Sequence, residues 1–214
     1  SGNFEAVKTM RSKFNSAVKV GLISSLVDNK NWLNLNYKII FASDNDKFVK
    51  QSYFANYKID EASWYDDVQK IDGKKYQNKI DLLVGGSPCQ SFSMVGKRRG
   101  FNDTRGTLFY EFARVIKESK PKVFIYENVK GLLSHDKGET FETIKATFNE
   151  LGYSYFYKVL NSKDYGIPQH RERIFVIGFK NKNEKFDFPK AIKLKNMRLS
   201  VHPFTFSNFL IKFM

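Results

Sequence analysis

Short apolar runs alternate along the chain with longer segments whose apolar residues recur every three or four positions. The short runs are typical of buried strands, and the longer segments are typical of helices that bury one face. The predicted strands are residues 37–42, 80–84, 122–126, 153–160 and 173–179. The predicted helices are residues 46–57, 107–119 and 139–151. Strands that alternate with helices predict an α/β fold with a mostly parallel sheet covered by helices on both faces.

The two ends of the chain show weaker patterns. Apolar residues within 4–27 follow a helical spacing, so a helix is predicted there. From residue 187 onward no regular pattern is found, and the strongly apolar residues 204–214 are expected to be buried. The 214 residues suffice for one domain with a sizeable core.

The formal net charge of +14 points to a polyanionic partner, most simply a nucleic acid. A compositional bias towards lysine is the alternative, and a basic membrane-surface helix is a weaker one, because no single segment concentrates the charge. The one cysteine excludes an internal disulfide and fits a reducing cytoplasm. No apolar stretch has the length of a membrane span and no signal-peptide pattern is found, so a cytoplasmic protein is expected.

That single cysteine lies in the segment Gly85-Gly86-Ser87-Pro88-Cys89, directly after the predicted strand 80–84. The two glycines are expected to let the backbone turn sharply out of the strand. Cys89 would then lie at the carboxyl end of a strand, where open α/β sheets bind their ligands. A thiol there is a candidate nucleophile, although a lone cysteine is more often a small buried hydrophobe.

Two further polar motifs adjoin predicted strands. Glu127-Asn128-Val129 follows strand 122–126, and Gln169-His170-Arg171-Glu172-Arg173 leads into strand 173–179. Taken singly, Glu127 could be an exposed strand-end carboxylate, and the arginines could lie on a solvated face. Taken together with the cysteine segment, they would bring a thiol, a carboxylate and two guanidinium groups to one edge of the sheet.

The order and spacing of these three motifs resemble those of the DNA cytosine-5 methyltransferases, over about residues 37–189. Residues 96–109 are also similar to the mobile catalytic loop of that family. The resemblance implies the Rossmann-like fold of S-adenosylmethionine-dependent methyltransferases, incomplete at both ends. It also implies methyl transfer from S-adenosylmethionine to carbon 5 of a cytosine that is flipped out of double-stranded DNA.

The resemblance implies catalytic roles for four residues. Cys89 would add to carbon 6 of the base, because carbon 5 becomes a good nucleophile only after such an addition. Glu127 would donate a proton to ring nitrogen 3, which requires a raised pKa. Arg173 resembles the arginine that contacts the base carbonyl and holds the glutamate, and Arg171 resembles one that binds a backbone phosphate of the target nucleotide.

It also implies binding residues for cofactor and DNA, and no metal site. A carboxylate after the second strand suits the ribose of the cofactor, and an Asp-Val pair suits the adenine, with Asp66 as the alternative acidic residue. The predicted cofactor-binding residues are Asp44, Asp67, Val68, Pro88 and Leu108. The predicted DNA-binding residues are Gln90, Ser93, Lys97 and Arg105, although Gln90, like Ser91, could instead only shape the loop.

The chain departs from the family pattern at both ends. The family opens with a strand and a Phe-x-Gly-x-Gly loop that is not found here; Ser1-Gly2-Asn3-Phe4 could be the remnant of that loop, followed by an insertion. The target-recognition region and the last two family motifs are also not found. Residues 1–189 are therefore predicted to be a partial catalytic domain, and residues 190–214 the start of a linker or recognition region.

Three explanations of these departures stay open: a piece of a longer protein, a split enzyme whose second polypeptide carries the recognition region, and a truncated inactive product. The leading functional hypothesis is a bacterial DNA methyltransferase of a restriction-modification system. The alternatives are a transfer-RNA cytosine-5 methyltransferase and an inactive nucleic-acid-binding fragment. The 214-residue chain by itself is expected to bind DNA without sequence specificity, to bind cofactor weakly and to transfer no methyl group.

Overall fold

A seven-stranded sheet forms the centre of the protein. The computed structural model describes residues 37–57, 59–88, 108–165, 167 and 169–191, and of residues 18–22 the backbone alone. The sheet order is β3-β2-β1-β4-β5-β7-β6. Its strands are β1 (Val18–Leu22), β2 (Tyr37–Ser43), β3 (Trp64–Tyr65), β4 (Leu82–Gly86), β5 (Val123–Val129), β6 (Ser154–Asn161) and β7 (Glu172–Phe179).

Neighbouring strands are parallel throughout the sheet except at β7, which is antiparallel to both β5 and β6. Helices α1 (Lys47–Asn56), α2 (Leu108–Ser119) and α3 (Glu139–Glu150) lie between strands in the chain. The predicted α/β class with a mostly parallel sheet is therefore confirmed, and the helices predicted over residues 46–57, 107–119 and 139–151 agree with the observed ones to within one residue at each end.

Alternate residues of β5 face two different hydrophobic clusters. Phe124 and Tyr126 of β5 pack with residues of α2 and α3, whereas Ile125 between them packs with the cluster that contains Tyr53 of α1. This alternation is the period of two that a strand imposes on its side chains. The sheet is thus covered by helices on both faces, as predicted. None of the helices in the described part of the chain has the length and apolar character needed to cross a bilayer.

The helix predicted over residues 4–27 is wrong for residues 18–22, which form β1. In this segment Val18, Val20 and Leu22 alternate with Lys19 and Gly21, which is the period of a strand. β1 pairs with β2 and β4 at the centre of the sheet and precedes both in the chain. Residues 1–4 lie outside the described residues, so their assignment as the remnant of a cofactor loop stays a prediction.

Parts of two motifs that were expected beyond a strand end lie within a strand. β4 continues through Gly85 and Gly86, which pair with Tyr126 and Glu127 of β5, so these glycines do not turn the chain out of the strand. The Glu127-Asn128-Val129 motif is likewise part of β5, because its residues pair with β7. Both strands are longer than their apolar runs, since backbone pairing to a neighbour extends a strand whatever its side chains are.

Candidate functional site

Glu127 and Arg173 form an ion pair at the carboxyl end of β5. In the antiparallel register between β5 and β7, Glu127 lies opposite Phe175 and Val129 lies opposite Arg173. Residues two apart on a strand share a face, so the side chains of Glu127 and Arg173 lie diagonally on the same face of the sheet. Arg173 Nε is 2.9 Å from Glu127 Oε1. The predicted proximity of these two residues is confirmed.

Glu127 is a buried carboxyl group, with only 6% of its surface exposed. Burial raises the pKa of Glu127 to about 7, against the opposing effect of the positive charges on Arg173 and Arg171. The ion pair with Arg173 therefore offsets only part of the cost of removing the carboxylate from water. A carboxyl group with this pKa is close to half protonated near neutral pH, so it can both donate and accept a proton there.

Gly86 allows the end of β4 to lie against this carboxyl group. A Cβ atom on Gly86 would be 2.7 Å from the backbone oxygen of Glu127 and 3.4 Å from its Oε2. A side chain at position 86 would therefore collide with the β5 backbone at the site. This glycine is needed for a close approach of two strands, and not for a turn. Ser87 and Pro88, which lead to Cys89, follow it immediately.

Arg171 directly precedes β7, and its own backbone N–H and carbonyl groups form the hydrogen bonds that hold it there. Its N–H donates to Oδ1 of Asn161 at 3.2 Å, and its carbonyl accepts from the N–H of Ser162 at 3.0 Å. Partial burial, and then the neighbouring charge of Arg173, lower the pKa of the Arg171 guanidinium. Asn161, which is buried at the end of β6, was not singled out by the sequence. An asparagine that ends an alternating strand is the only sequence signal for it.

At the rim of the site, Lys130 donates to both carboxylate oxygens of Glu172, at 3.1 and 3.0 Å. Lys130 directly follows Val129 of the Glu-Asn-Val motif, and Glu172 directly precedes Arg173. The ion pair joins the end of β5 to the start of β7 on the solvent side. Exposed pairs of this kind contribute little to stability, so its main effect is to tie the two motifs together.

The predicted cofactor-binding residues lie after neighbouring parallel strands. Asp44 directly follows β2 and is half-buried; its Oδ1 accepts from the N–H of Asp46 at 2.9 Å. Asp67 and the buried Val68 come shortly after β3, where Asp67 accepts from the N–H of Gln69 at 2.9 Å. β2 and β3 are adjacent and parallel, so these residues share one edge of the sheet. Which of them binds a cofactor stays a prediction.

The alternative residue Asp66 has other partners. Its Oδ1 accepts from Nε1 of Trp64 at 2.8 Å and from Nζ of Lys50 at 3.1 Å. The hydrogen bond from Lys50 is the main cause of a lowered pKa of Asp66. Asp66 thus connects the loop after β3 to α1. Of the remaining predicted residues, Pro88 is exposed after β4, and Leu108 is the exposed first residue of α2.

Five predicted site residues lie outside the described residues. They are Cys89, Gln90, Ser93, Lys97 and Arg105, together with most of the predicted catalytic loop. Their roles stay predictions from the sequence.

Arg114 of α2 was missed by the sequence reasoning. It forms ion pairs with Glu111 at 2.8 Å and Glu118 at 2.9 Å, and its guanidinium donates to the carbonyl oxygens of Val68 at 3.0 Å and Ile71 at 2.8 Å. The two glutamates lie three residues before and four residues after Arg114, which places all three on one helix face. Arg114 therefore fixes the segment that contains the predicted adenine-binding residue Val68.

Fold and site together define a protein with the architecture of S-adenosylmethionine-dependent methyltransferases. Its fold is similar to that of a methyltransferase from Entamoeba histolytica, EhMeth, with a TM-score of 0.62 at 18% identity, over 85% of this chain and 58% of that one. It is also similar to the Dnmt2 methyltransferase of S. pombe, with a TM-score of 0.61 at 18% identity, over 80% of this chain and 52% of that one. At this identity the similarity concerns the fold alone.

Sequence comparison identifies the family. The family model of C-5 cytosine-specific DNA methylases matches residues 22–207. The type II methyltransferase M.SsoII of Shigella sonnei is 48% identical over 162 residues, which are 73% of this chain and 41% of that protein. The type II methyltransferase M.HhaI of Haemophilus parahaemolyticus is 45% identical over 157 residues, 72% of this chain and 47% of that protein. The chain belongs to the C-5 cytosine-specific DNA methylase family, and it spans less than half the length of these relatives.

Proposed function

We propose that this chain carries the catalytic centre of an enzyme that transfers a methyl group from S-adenosylmethionine to carbon 5 of cytosine in DNA. The observation that supports this most directly is the buried Glu127, with a pKa near 7 and its ion pair to Arg173, at the strand edge next to Gly86. Family membership supplies the reaction class. The relatives compared are bacterial type II enzymes, so we further propose a role in a bacterial restriction-modification system, in the cytoplasm.

The proposed reaction begins with the thiolate of Cys89, which forms a bond from sulfur to carbon 6 of the target cytosine. The electron pair displaced from the ring increases the negative charge on nitrogen 3. Protonated Glu127 donates its proton to that nitrogen, and the resulting enamine makes carbon 5 nucleophilic. After carbon 5 has gained the methyl group, loss of the carbon 5 proton to a base breaks the bond between carbon 6 and sulfur and restores the thiolate of Cys89, and nitrogen 3 returns its proton to Glu127. This sequence needs a carboxyl group that keeps its proton near neutral pH, which the burial of Glu127 favours.

The two arginines act on this step in different ways. Arg173 keeps the Glu127 carboxyl group in one orientation, and we propose that it also donates to the base carbonyl. Arg171 would bind a backbone phosphate of the flipped nucleotide, because a guanidinium group forms directed hydrogen bonds with phosphate oxygens. The target carbon is inaccessible inside a duplex, so the base must leave the stack before Cys89 can reach it.

The described residues fit S-adenosylmethionine by their chemistry. A half-buried carboxylate after β2, that of Asp44, suits a ribose diol, and the buried Val68 one strand further along suits the face of an adenine. Bound there, the cofactor would supply an electrophilic methyl group on sulfur. Asp44 would orient its ribose, and the Arg114 contacts to Val68 and Ile71 would hold the loop against its base.

The test is incorporation of tritiated methyl groups into mixed-sequence duplex DNA, by this chain and by the longest reading frame that contains it. Nucleoside analysis of the product should identify 5-methylcytosine, and Cys89→Ser should abolish its formation. Transfer RNA in a parallel reaction tests the related alternative. Incorporation into RNA alone, or incorporation that persists in Cys89→Ser, would contradict the proposal.

A further inference from the structure

A buried hydrogen-bond network joins the residue that follows β4 to the last residues of β5, on the face opposite Glu127. Ser87 Oγ is 2.8 Å from the hydroxyl oxygen of Tyr126. Asn128 Nδ2 donates to that same hydroxyl oxygen at 2.8 Å and to the carbonyl oxygen of Ser87 at 2.8 Å. All three residues are buried, and Tyr126 has no exposed surface. Tyr126 and Asn128 flank Glu127 in β5, so their side chains point away from the carboxyl group.

The donors and acceptors of this network match closely. The carbonyl of Ser87 can only accept, so it fixes the orientation of the Asn128 amide. Both amide hydrogens of Asn128 are then used, and its Oδ1 accepts from the N–H of Val129 at 2.8 Å. The two hydroxyl groups share one further bond. The three residues thus form a ring of hydrogen bonds, in which the loss of one hydroxyl group removes a buried hydrogen bond.

The phenol ring of Tyr126 gives this network a rigid support. It packs against the rings of Phe109 and Phe112 of α2, with centroid distances of 5.6 and 5.5 Å. A phenylalanine would fill the same space without any polar group to satisfy. Buried polar groups without a structural need cost stability, so a hydroxyl at this place indicates a role in fixing one conformation. The conformation that it fixes is that of Ser87, which is held through both its side chain and its carbonyl.

We propose that the Tyr126 hydroxyl and Ser87 are positioning residues for the chain that leaves β4. Ser87 precedes Cys89 by two residues. The network fixes the backbone at Ser87, from which the chain continues into Pro88, while Gly86 keeps this point next to Glu127. Asn128 completes the network from β5, so the strand that carries the acid also fixes the segment that leads to the nucleophile. For catalysis this inference rests on the proposed function, which assigns the nucleophile to Cys89.

The chain itself offers a direct assay, because Cys89 is its only cysteine. The alkylation rate of the native chain by iodoacetamide, measured from pH 6 to pH 10, reports the ionisation and accessibility of this one thiol. The same reaction in denaturant gives the rate for an unconstrained thiol. Neither cofactor nor DNA is needed, so the outcome is independent of whether the protein transfers methyl groups.

We expect Tyr126→Phe and Ser87→Ala each to move the alkylation rate by about fivefold towards the unfolded rate, the factor that corresponds to one neutral hydrogen bond. The double variant should show little further change, because both substitutions break the same ring. Ser87→Thr, which keeps a hydroxyl group, should stay near the native rate. It provides a decisive comparison with Ser87→Ala if Tyr126→Phe does not fold.

Tyr153→Phe is the matched control. Tyr153 is also buried, and its hydroxyl group donates to the carbonyl of Pro121 at 2.6 Å, at the start of β5 rather than at its end. This variant should lose stability without changing the alkylation rate. The inference is overturned if Tyr126→Phe and Ser87→Ala leave the rate as unchanged as Tyr153→Phe does, if their effects simply add, or if the native and unfolded rates are equal.

Discussion

Substitution of Glu127 by Gln should make the stability of the protein less sensitive to pH. Folding raises the pKa of this carboxyl group from 4.5 to about 7, because burial disfavours its charge more than Arg173 and Arg171 favour it. Between these two pKa values the folded state keeps a proton that the unfolded state loses. The contribution of Glu127 to stability is therefore lost as the pH rises from about 4.5 to about 7. Glutamine resembles the protonated carboxyl group in size and charge, and it does not titrate.

The size of the effect follows from the shift. At about 1.4 kcal/mol for each pKa unit, the raised pKa of Glu127 lowers the free energy of unfolding, relative to its value well below pH 4, by about 1 kcal/mol at pH 5 and about 3 kcal/mol at pH 8. The free energy of unfolding of Glu127→Gln, relative to that of the original protein, should therefore rise by about 2 kcal/mol between these two pH values. Any constant difference in how the amide packs against Arg173 cancels in this comparison.

Urea denaturation at pH 5, 6, 7 and 8, followed by circular dichroism, measures this difference. Glu150→Gln serves as the matched control, because Glu150 is an exposed glutamate near the end of α3 and its removal changes the net charge equally. A stability difference for Glu127→Gln that stays flat from pH 5 to pH 8, or that falls, would show that the carboxyl group does not keep its proton in the native state. The proposed role of Glu127 as a proton donor would then lose its physical basis.

The remaining predictions concern four single positions. Glu127→Gln should slow single-turnover methyl transfer by about a hundredfold to ten-thousandfold with little change in DNA affinity, in a rapid-quench assay with tritiated cofactor. Cys89→Ser should abolish transfer but keep DNA binding in a filter assay, because phosphate contacts dominate affinity. Gly86→Ala should lower the free energy of unfolding by about 1–3 kcal/mol, because its Cβ would meet the Glu127 backbone. Gly131→Ala, whose Cβ would meet nothing within 4 Å, is its control. Arg114→Lys should lower stability in urea by about 1–3 kcal/mol, because a lysine cannot keep the part-buried guanidinium hydrogen bonds to the carbonyl oxygens of Val68 and Ile71.

Most of the sheet and all three described helices could be predicted because their apolar periods are unambiguous. β1 could not be predicted, because its alternation of apolar and other residues spans only five positions, within a longer stretch whose apolar residues also fit a helical spacing. The short 3₁₀ turns 61–63, 68–70 and 73–76 were missed as well. Each begins directly after an aspartate whose carboxylate accepts from the N–H two residues further on, a local signal that apolar periodicity does not contain.

The candidate site was predictable as a set of residues and not as a set of interactions. The motif order indicated that Glu127 and Arg173 would meet, but the pKa of the carboxyl group depends on how deeply it is buried. That depth depends on the antiparallel register of β7 against β5, which the sequence does not specify, because β6 and its connections lie between them in the chain. The role of Gly86 was likewise not predictable. Its sequence context suggests a turn, and only its distance to the neighbouring strand shows that it allows a close approach.

The Ser87–Tyr126 pair shows most clearly why a sequence pattern does not reveal the interactions within a site. Tyr126 lies in an apolar run and reads as a core residue, and Ser87 lies between glycine and proline and reads as part of a turn. Tyr126 is a core residue, as its run suggests, whereas Ser87 is not in a turn, and neither interpretation suggests a partner 39 positions away. Only the parallel pairing of β4 with β5, which sets Gly86 beside Glu127, brings the two hydroxyl groups together. The contacts between strands therefore reveal the proposed positioning residues, whereas the motif order in the sequence suggests the proposed catalytic residues.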